Sequence, residues 1–227
     1  TNSVHQFYNF SIKKATAIIV DSEMSKNDIA ANYLINKNRV HVIPFEIGQN
    51  IKKYLSKNSL NQIDIKKKYN VKYPYIFYPA QFWPHKNHTY ILNGIKALEH
   101  KFNIKISAIF AGSDQGNNAF IKNLVKELKL EEQIHFIGFT DSEEIPIIYQ
   151  QSIALVMPTF FGPTNIPPLE AFSLGVPVLY SDLTGLRDQV RDAALLMDLT
   201  NPETMAQHLG NLLNDKNFKN EIIQKGF

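Results

Sequence analysis

The residues best suited to chemistry stand in one stretch, PTFFGPTNIPPLEAFSLG, over residues 158–175. It follows the apolar run Ile153 to Met157, which suits a strand buried on both faces of a parallel sheet. Pro167 and Pro168 fit a first helical turn, where an N–H has no intrahelical partner, and Leu169, Ala171, Phe172 and Leu174 continue with apolar spacing. A loop and a helix N-terminus therefore sit at the carboxyl end of a buried strand. That is the edge where open α/β sheets bind ligands and where free amides attract anions. Pro163, Pro167 and Pro168 carry no N–H, so the donors are the amides of Thr164, Asn165 and Ile166, then Leu169 and Glu170. Thr164 and Asn165 add a hydroxyl and a carboxamide able to grip a phosphate or a polar ligand. Glu170 is an acceptor-only carboxylate, unsuited to phosphate, and two adjacent sugar hydroxyls are its natural partner. On this stretch alone a second reading is as good: Glu170 complements the helix dipole for about 0.3–1 kcal/mol, and the loop is a proline-stiffened connector.

Two further loops carry candidates. In QFWPHKN, residues 81–87, Lys86 falls at a helix N-terminus, where a cation is unfavourable unless an anion joins it. It is a candidate phosphate partner, although a solvated lysine is the commoner fate. His85 and His88 invite a metal, but spacing places no third ligand. After FIG, residues 136–138, Phe139 and Thr140 can meet the edge of a base, or Phe139 can pack between helices. GSDQG at 112–116 falls short of a phosphate-loop or dinucleotide pattern, and no G-x-S-x-G elbow, H-E-x-x-H or Walker lysine occurs.

These loops need a sheet to position them. Strands are expected at Tyr75 to Ala80, Lys105 to Ala111, Gln133 to Gly138, Ile153 to Pro158, Val176 to Tyr180 and Ala194 to Met197. Helices are expected at Thr89 to Lys101, Ala119 to Leu130, Glu143 to Gln151, Pro168 to Leu174, Leu186 to Arg191 and Pro202 to Leu213. Strands alternating with helices make an α/β fold, a Rossmann-like doubly wound parallel sheet, because parallel neighbours need crossovers and these are usually helical. Ahead of it, residues 15–22 and 39–44 read as short strands flanking a helix capped by Ser22 or Ser25. Two strands rarely stand alone, so residues 1–45 read as the end of another domain, 46–73 as a linker with one modest helix near Leu60 to Tyr69, and 74–227 as the Rossmann-like domain.

Composition narrows the function classes. The formal charge is only +3, and the lysines at 52, 53 and 66–68 form no long basic stripe with interleaved aromatics, so nucleic acid is not implied. No cysteine is present, which excludes disulfides, thiol catalysis and thiolate-held metals. The opening residues contain no signal-peptide core and no apolar run approaches membrane-spanning length, so a cytoplasmic protein is expected.

Lys86, the FIG loop, and the segment from Pro158 through Glu170 to Val178 together resemble the carboxyl-terminal domain of retaining glycosyltransferases of family 4. The resemblance covers nearly the whole chain and implies one half of a fold with two Rossmann-like domains facing across a cleft. It implies that residues 1–45 end the acceptor-side domain and that the chain stops before a final helix. It also implies transfer of a sugar from a nucleoside-diphosphate sugar to an acceptor hydroxyl with retention, in surface polysaccharide or glycan synthesis. By position, Lys86 resembles the lysine that neutralises the diphosphate, and Glu170 the second glutamate of E-x7-E, which binds the ribose. Thr164, Asn165 and Ile166 fall where the loop meets phosphates and sugar, and Phe139 where backbone groups meet the base. The first glutamate of the motif is Gly162 here, and an arginine usual after the first strand is Gln81. Thr164 and Asn165 are then the candidates to take over the missing carboxylate's hydrogen bonds, so Lys86, Glu170 and Asn165 form the expected catalytic set, with Gln81 beside the donor. No metal or cofactor is implied beyond the nucleotide sugar, whose base stays open. The acceptor is a glycan or lipid-linked sugar, with peripheral membrane association through the other domain. The competing expectations are a non-catalytic nucleotide-sugar-binding module and a nucleotide-sugar epimerase of the same architecture.

Overall fold

The computed structural model describes residues 2–57, 63–162 and 164–227, with side chains from residue 6. Pro163 and the start of the helix expected near Leu60 lie outside the described residues. The chain forms two compact units, Thr1–Glu46 with Pro163–Asn165, and Ile47–Gly162 with Ile166–Phe227.

In the first unit, α1 (Asn2–Lys14) precedes β1 (Ile18–Val20), α2 (Glu23–Tyr33) and β2 (Val40–Val42). The strands pair in parallel, Ile18 opposite Val40 and Val20 opposite Val42. Ser22 caps α2, accepting from the Ser25 amide at 3.2 Å, and Leu34 ends it at φ 53°. The helix α1 was not anticipated from the sequence. Its last turn carries Lys13 and Lys14, favourable against the dipole, and the Arg39 guanidinium donates to the carbonyls of Lys13 and Ala15 at the end of that helix. Phe7, Phe10, Ile19, Ile43 and Phe45 are exposed.

The second unit begins with α3 (Gln49–Ser56) and α4 (Ile65–Lys68). It continues β3 (Tyr75–Pro79), α5 (His88–Phe102), β4 (Ser107–Ala111), α6 (Asn118–Glu127), β5 (Ile134–Gly138), α7 (Ile145–Gln150), β6 (Leu155–Met157), α8 (Ile166–Ser173), β7 (Val178–Ser181), α9 (Leu186–Val190), β8 (Leu195–Met197), α10 (Glu203–Asn214) and α11 (Lys216–Gly226). Its six strands are all parallel in the order β5-β4-β3-β6-β7-β8. The chain winds outward from β3 to β5, returns to place β6 against β3, and winds the other way. The order therefore reverses between β3 and β6, a switch point whose strand ends leave a crevice for ligands. Apolar side chains of β3, β4, β6 and β7 fill both faces: Tyr75, Phe77, Ile109, Phe110, Leu155, Val156, Val178 and Leu179 are wholly buried. That burial is why these strands read as uninterrupted apolar runs.

Other stretches also depart from the sequence expectation. Residues 46–73 are more than a connector, because α3 is a full helix and Ile51 and Ile65 are completely buried in the sheet unit's core. Several strands are shorter than expected: β4, β6 and β7 start two residues late, although the Ile153 amide still donates to the Tyr75 carbonyl and the Ala154 and Pro177 carbonyls still accept from Phe77 and Leu155. Beyond α10, where no further helix was expected, Asp215 accepts from the amides of Asn217 and Phe218 at 2.9 Å and starts α11. Ile222 is buried, and Gly226 lies so close to the Phe172 ring that a Cβ there would stand 2.8 Å from it.

Candidate functional site

Each loop at the carboxyl edge is fixed by a local device. After β3 the chain runs through Gln81 and Trp83 into a short 3-10 turn at Pro84–Lys86, then into α5 through Asn87 at φ 55°. The Tyr78 hydroxyl, on a fully buried ring, donates to the Lys86 carbonyl at 2.8 Å and holds that turn on the sheet. The next loop presses against it: a Cβ on Gly112 would lie 2.4 Å from the Ala80 carbonyl oxygen, so only glycine permits this approach. After β6 the Phe160 amide donates to the His85 carbonyl at 2.9 Å, and the Ser181 hydroxyl donates to the Thr159 carbonyl at 2.7 Å. The loops of the two central strands are thereby joined.

Between them lies a cavity of about 390 Å³, a size suited to a nucleotide. Gln81, Phe139, Ile166 and Glu170 line it, with Gly112, Gly138, Thr140, Pro167, Asn50 and Ser142. Phe139 is 88 % exposed at the rim, available to a planar ligand and not packed between helices. Gln81 accepts at its side-chain oxygen from the Trp83 indole N–H at 3.0 Å. Lys86 does not line the cavity; its ammonium is half-buried in the β3 turn, with no hydrogen bond or ion pair among the described residues. Burial alone lowers its pKa, which is the state an anion would relieve. Thr164 and Asn165 group with the first unit and not with the cavity's unit. There Thr164 hydrogen-bonds Asp21, whose carboxyl falls below its usual range: burial raises it, but hydrogen bonds from Ser25 and Thr164 outweigh that. Asn165 is buried.

Glu170 has the clearest electrostatic signature. It sits in the first turn and a half of α8, and burial raises its pKa against the opposing hydrogen bond from Tyr149 at 3.1 Å. Tyr149 is fully buried, its ring edge-on to Phe77 at 4.8 Å, and its hydroxyl is also 3.4 Å from the Pro167 carbonyl. A half-desolvated carboxylate with one donor at Oε2 retains acceptor capacity on the cavity side. Gly162 lies at φ 134°, backbone that glycine alone adopts readily, so this loop is shaped around the absence of a side chain. His85 and His88 do not act as a pair. His88 is wholly buried, stacked on Phe82 at 4.4 Å and 17°, and burial pushes its pKa down to about 3, so it is a neutral packing ring. Among the described residues no three His, Cys, Asp or Glu side chains are grouped to hold a metal.

Sequence reasoning missed Asn50 and Ser142, whose hydrogen bond at 3.1 Å closes one side of the cavity, and it missed Tyr149. Asn50 sat in an apparent connector, and Tyr149 lay inside the apolar run IPIIYQ, where only an unexplained hydroxyl marked it.

The family model described as "Glycosyl transferases group 1" matches residues 61–227. Among curated proteins the chain is similar to O-antigen chain mannosyltransferase B of Escherichia coli, 24% identical over 217 residues, covering 95% of this chain and 56% of that one. It is also similar to O-antigen chain mannosyltransferase RfbU of Salmonella typhimurium, 27% identical over 189 residues, covering 83% and 48%. The chain spans about half the length of these curated relatives. Among solved structures, a glycosyltransferase of Rickettsia africae superposes with a TM-score of 0.80 at 17% identity, over 100% of this chain and 61% of the other. Anabaena HepE in complex with UDP-glucose superposes at 0.73 with 18% identity, over 93% and 58%. At such identities these superpositions speak for the fold.

Proposed function

Because the chain belongs to the group 1 glycosyl transferases, as the match over residues 61–227 shows, we propose that its second unit binds a nucleoside-diphosphate sugar for transfer of the glycosyl group to an acceptor hydroxyl. The observation that carries this reading is Glu170: a carboxylate with a raised pKa, held from behind by Tyr149, lining a nucleotide-sized cavity at the switch point of the sheet. Its open acceptor sites suit the vicinal ribose hydroxyls. Phe139 at the rim suits the base. The Lys86 ammonium, without a partner among the described residues, suits the diphosphate together with the amides at the start of α5. The relatives named for O-antigen chains support a surface polysaccharide as the product.

In this mechanism the bond between the anomeric carbon and the diphosphate oxygen breaks as Lys86 stabilises the charge growing on the leaving group. The acceptor hydroxyl enters on the face the diphosphate leaves, so the anomeric configuration is retained. Its proton passes to a base outside the sheet unit, in keeping with a chain that spans about half the length of those relatives.

The test is incubation of the protein, at its cellular length, with glucose and mannose conjugates of UDP, GDP and ADP and a lipid-linked glycan acceptor. Proton NMR of the product reads the new linkage. An axial donor giving an axial product supports the proposal, and inversion refutes the mechanism. A second reading, a nucleotide-sugar-binding module without turnover, is favoured by Gly162 and Gln81 standing where charge is usual. It predicts tight donor binding with no product.

A further inference from the structure

Three rings beside the cavity have no part in that assignment. Trp83, His85 and Phe161 form a stacked row on the loops after β3 and β6: Trp83 stacks on His85 with centroids 6.2 Å apart and 24° between planes, and His85 overlaps Phe161 at 4.5 Å and 37°, so the rings partly cover one another's faces. Trp83 is 41% and Phe161 63% exposed. Hydrogen bonds rather than burial hold these rings at the surface. The Trp83 amide donates to the Gln81 carbonyl at 2.8 Å, and the Phe160 amide to the His85 carbonyl at 2.9 Å. Burial first, and then the Lys86 charge, lower the His85 pKa, so the row is uncharged near neutral pH.

The neighbours of the row define its occupant. At one end the Trp83 indole is bonded to Gln81, which lines the cavity; at the other the row crosses to the β6 loop, and Lys86 follows His85 in the chain. A group over these rings therefore adjoins both the nucleotide and the cation proposed for its diphosphate. We propose that Trp83, backed by the stacked rings of His85 and Phe161, is the surface on which the pyranose ring of the nucleotide sugar lies, its C–H face against the indole and its hydroxyls toward Gln81 and the loop carbonyls. This rests on the nucleotide-sugar reading of the cavity and adds to it the residues that discriminate the sugar.

Trp83 is the single tryptophan in the chain, so its emission reports on this row directly. Calorimetric titration with UDP, GDP and ADP first identifies the base. The free diphosphate of that base and its glucose and mannose conjugates are then titrated with the emission recorded. The free diphosphate is expected to leave the emission unchanged, and one conjugate to quench it and move it to the blue. Trp83→Ala, which removes the contact, and His85→Ala, which removes its backing, are each expected in calorimetry to lower affinity for that conjugate by about 2- to 10-fold, the range of an aromatic contact, without changing that for the diphosphate. Circular dichroism confirms that each variant is folded. A conjugate that binds with the diphosphate's emission and ignores both substitutions overturns the inference and leaves the nucleotide site standing. Emission that changes with protein concentration alone assigns the row to a second copy and overturns it also. Failure of every diphosphate to bind removes the nucleotide reading, and this inference with it.

Discussion

Replacing Tyr149 by phenylalanine separates the proposed role of Glu170 from a merely structural one. The substitution deletes one oxygen, the donor 3.1 Å from Glu170 Oε2, and keeps the ring edge-on to Phe77. A hydrogen bond to a charged group is worth roughly 1.5–3 kcal/mol. If the ribose donates to Glu170, the wild type prefers a ribonucleotide over its 2′-deoxy counterpart by about 10- to 150-fold. The carboxylate must be ionised to accept both hydroxyls, so the preference holds at high pH and fades as pH falls through the Glu170 pKa, which burial already raises. Without Tyr149 the ionised form loses its opposing support, and the fading moves to higher pH. Stability follows the same linkage. A carboxyl whose folded pKa is raised contributes fully below its unfolded value and loses that contribution as pH rises through the folded one. The variant should therefore be most destabilised near neutral pH, by up to roughly 3 kcal/mol, and less so in acid. Calorimetry with the paired nucleotides and denaturant unfolding, both between about pH 4 and 8, read these effects. An unchanged ribose preference with an unchanged pH midpoint would refute the assignment of Glu170 to the ribose.

Lys86→Met should weaken diphosphate binding by roughly 10- to 150-fold in calorimetry while the parent nucleoside binds as before, because the half-buried ammonium is assigned to the phosphates alone. Gly112→Ala should lower unfolding stability by about 1–3 kcal/mol in a urea titration, since its Cβ would meet the Ala80 carbonyl oxygen at 2.4 Å and backbone must move. Gly162→Glu, which supplies the carboxylate usual at that place, should cost about 1–3 kcal/mol of stability and give no gain in transfer, because φ 134° suits glycine alone.

The sheet was legible in the sequence because its central strands are buried on both faces. Runs such as YIFYP and IALVM suit strands buried on both faces, and helices between them dictate parallel pairing. Of the helices that escaped notice, α3 and α11 lie in polar stretches where only a few positions meet the core, and α1 has no buried side chain among its described residues. In α3 that is Ile51 and in α11 Ile222, too sparse a pattern beside so many lysines and asparagines. The candidate site was legible in part: Glu170 stood out as a carboxylate in a proline-rich apolar turn and lines the cavity, whereas Lys86, picked out at a helix start, does not line it. It was not legible where the functional contact joins distant segments. Nothing in the sequence of α7 says that its tyrosine reaches α8, and nothing near Asn50 says that it closes a wall with Ser142. The grouping of Thr164 and Asn165 with residues 1–46 is likewise set by packing and by Asp21, far away in the chain.

The central claim is that Glu170 and Lys86 hold a nucleoside diphosphate. The measurement to make is the calorimetric titration of the wild type, Lys86→Ala and Glu170→Ala with UDP, GDP and ADP. Selective binding of one diphosphate, weakened roughly tenfold or more by each substitution, is the predicted result. Well-folded protein that binds none of the three, or binds one equally well without either side chain, contradicts the account.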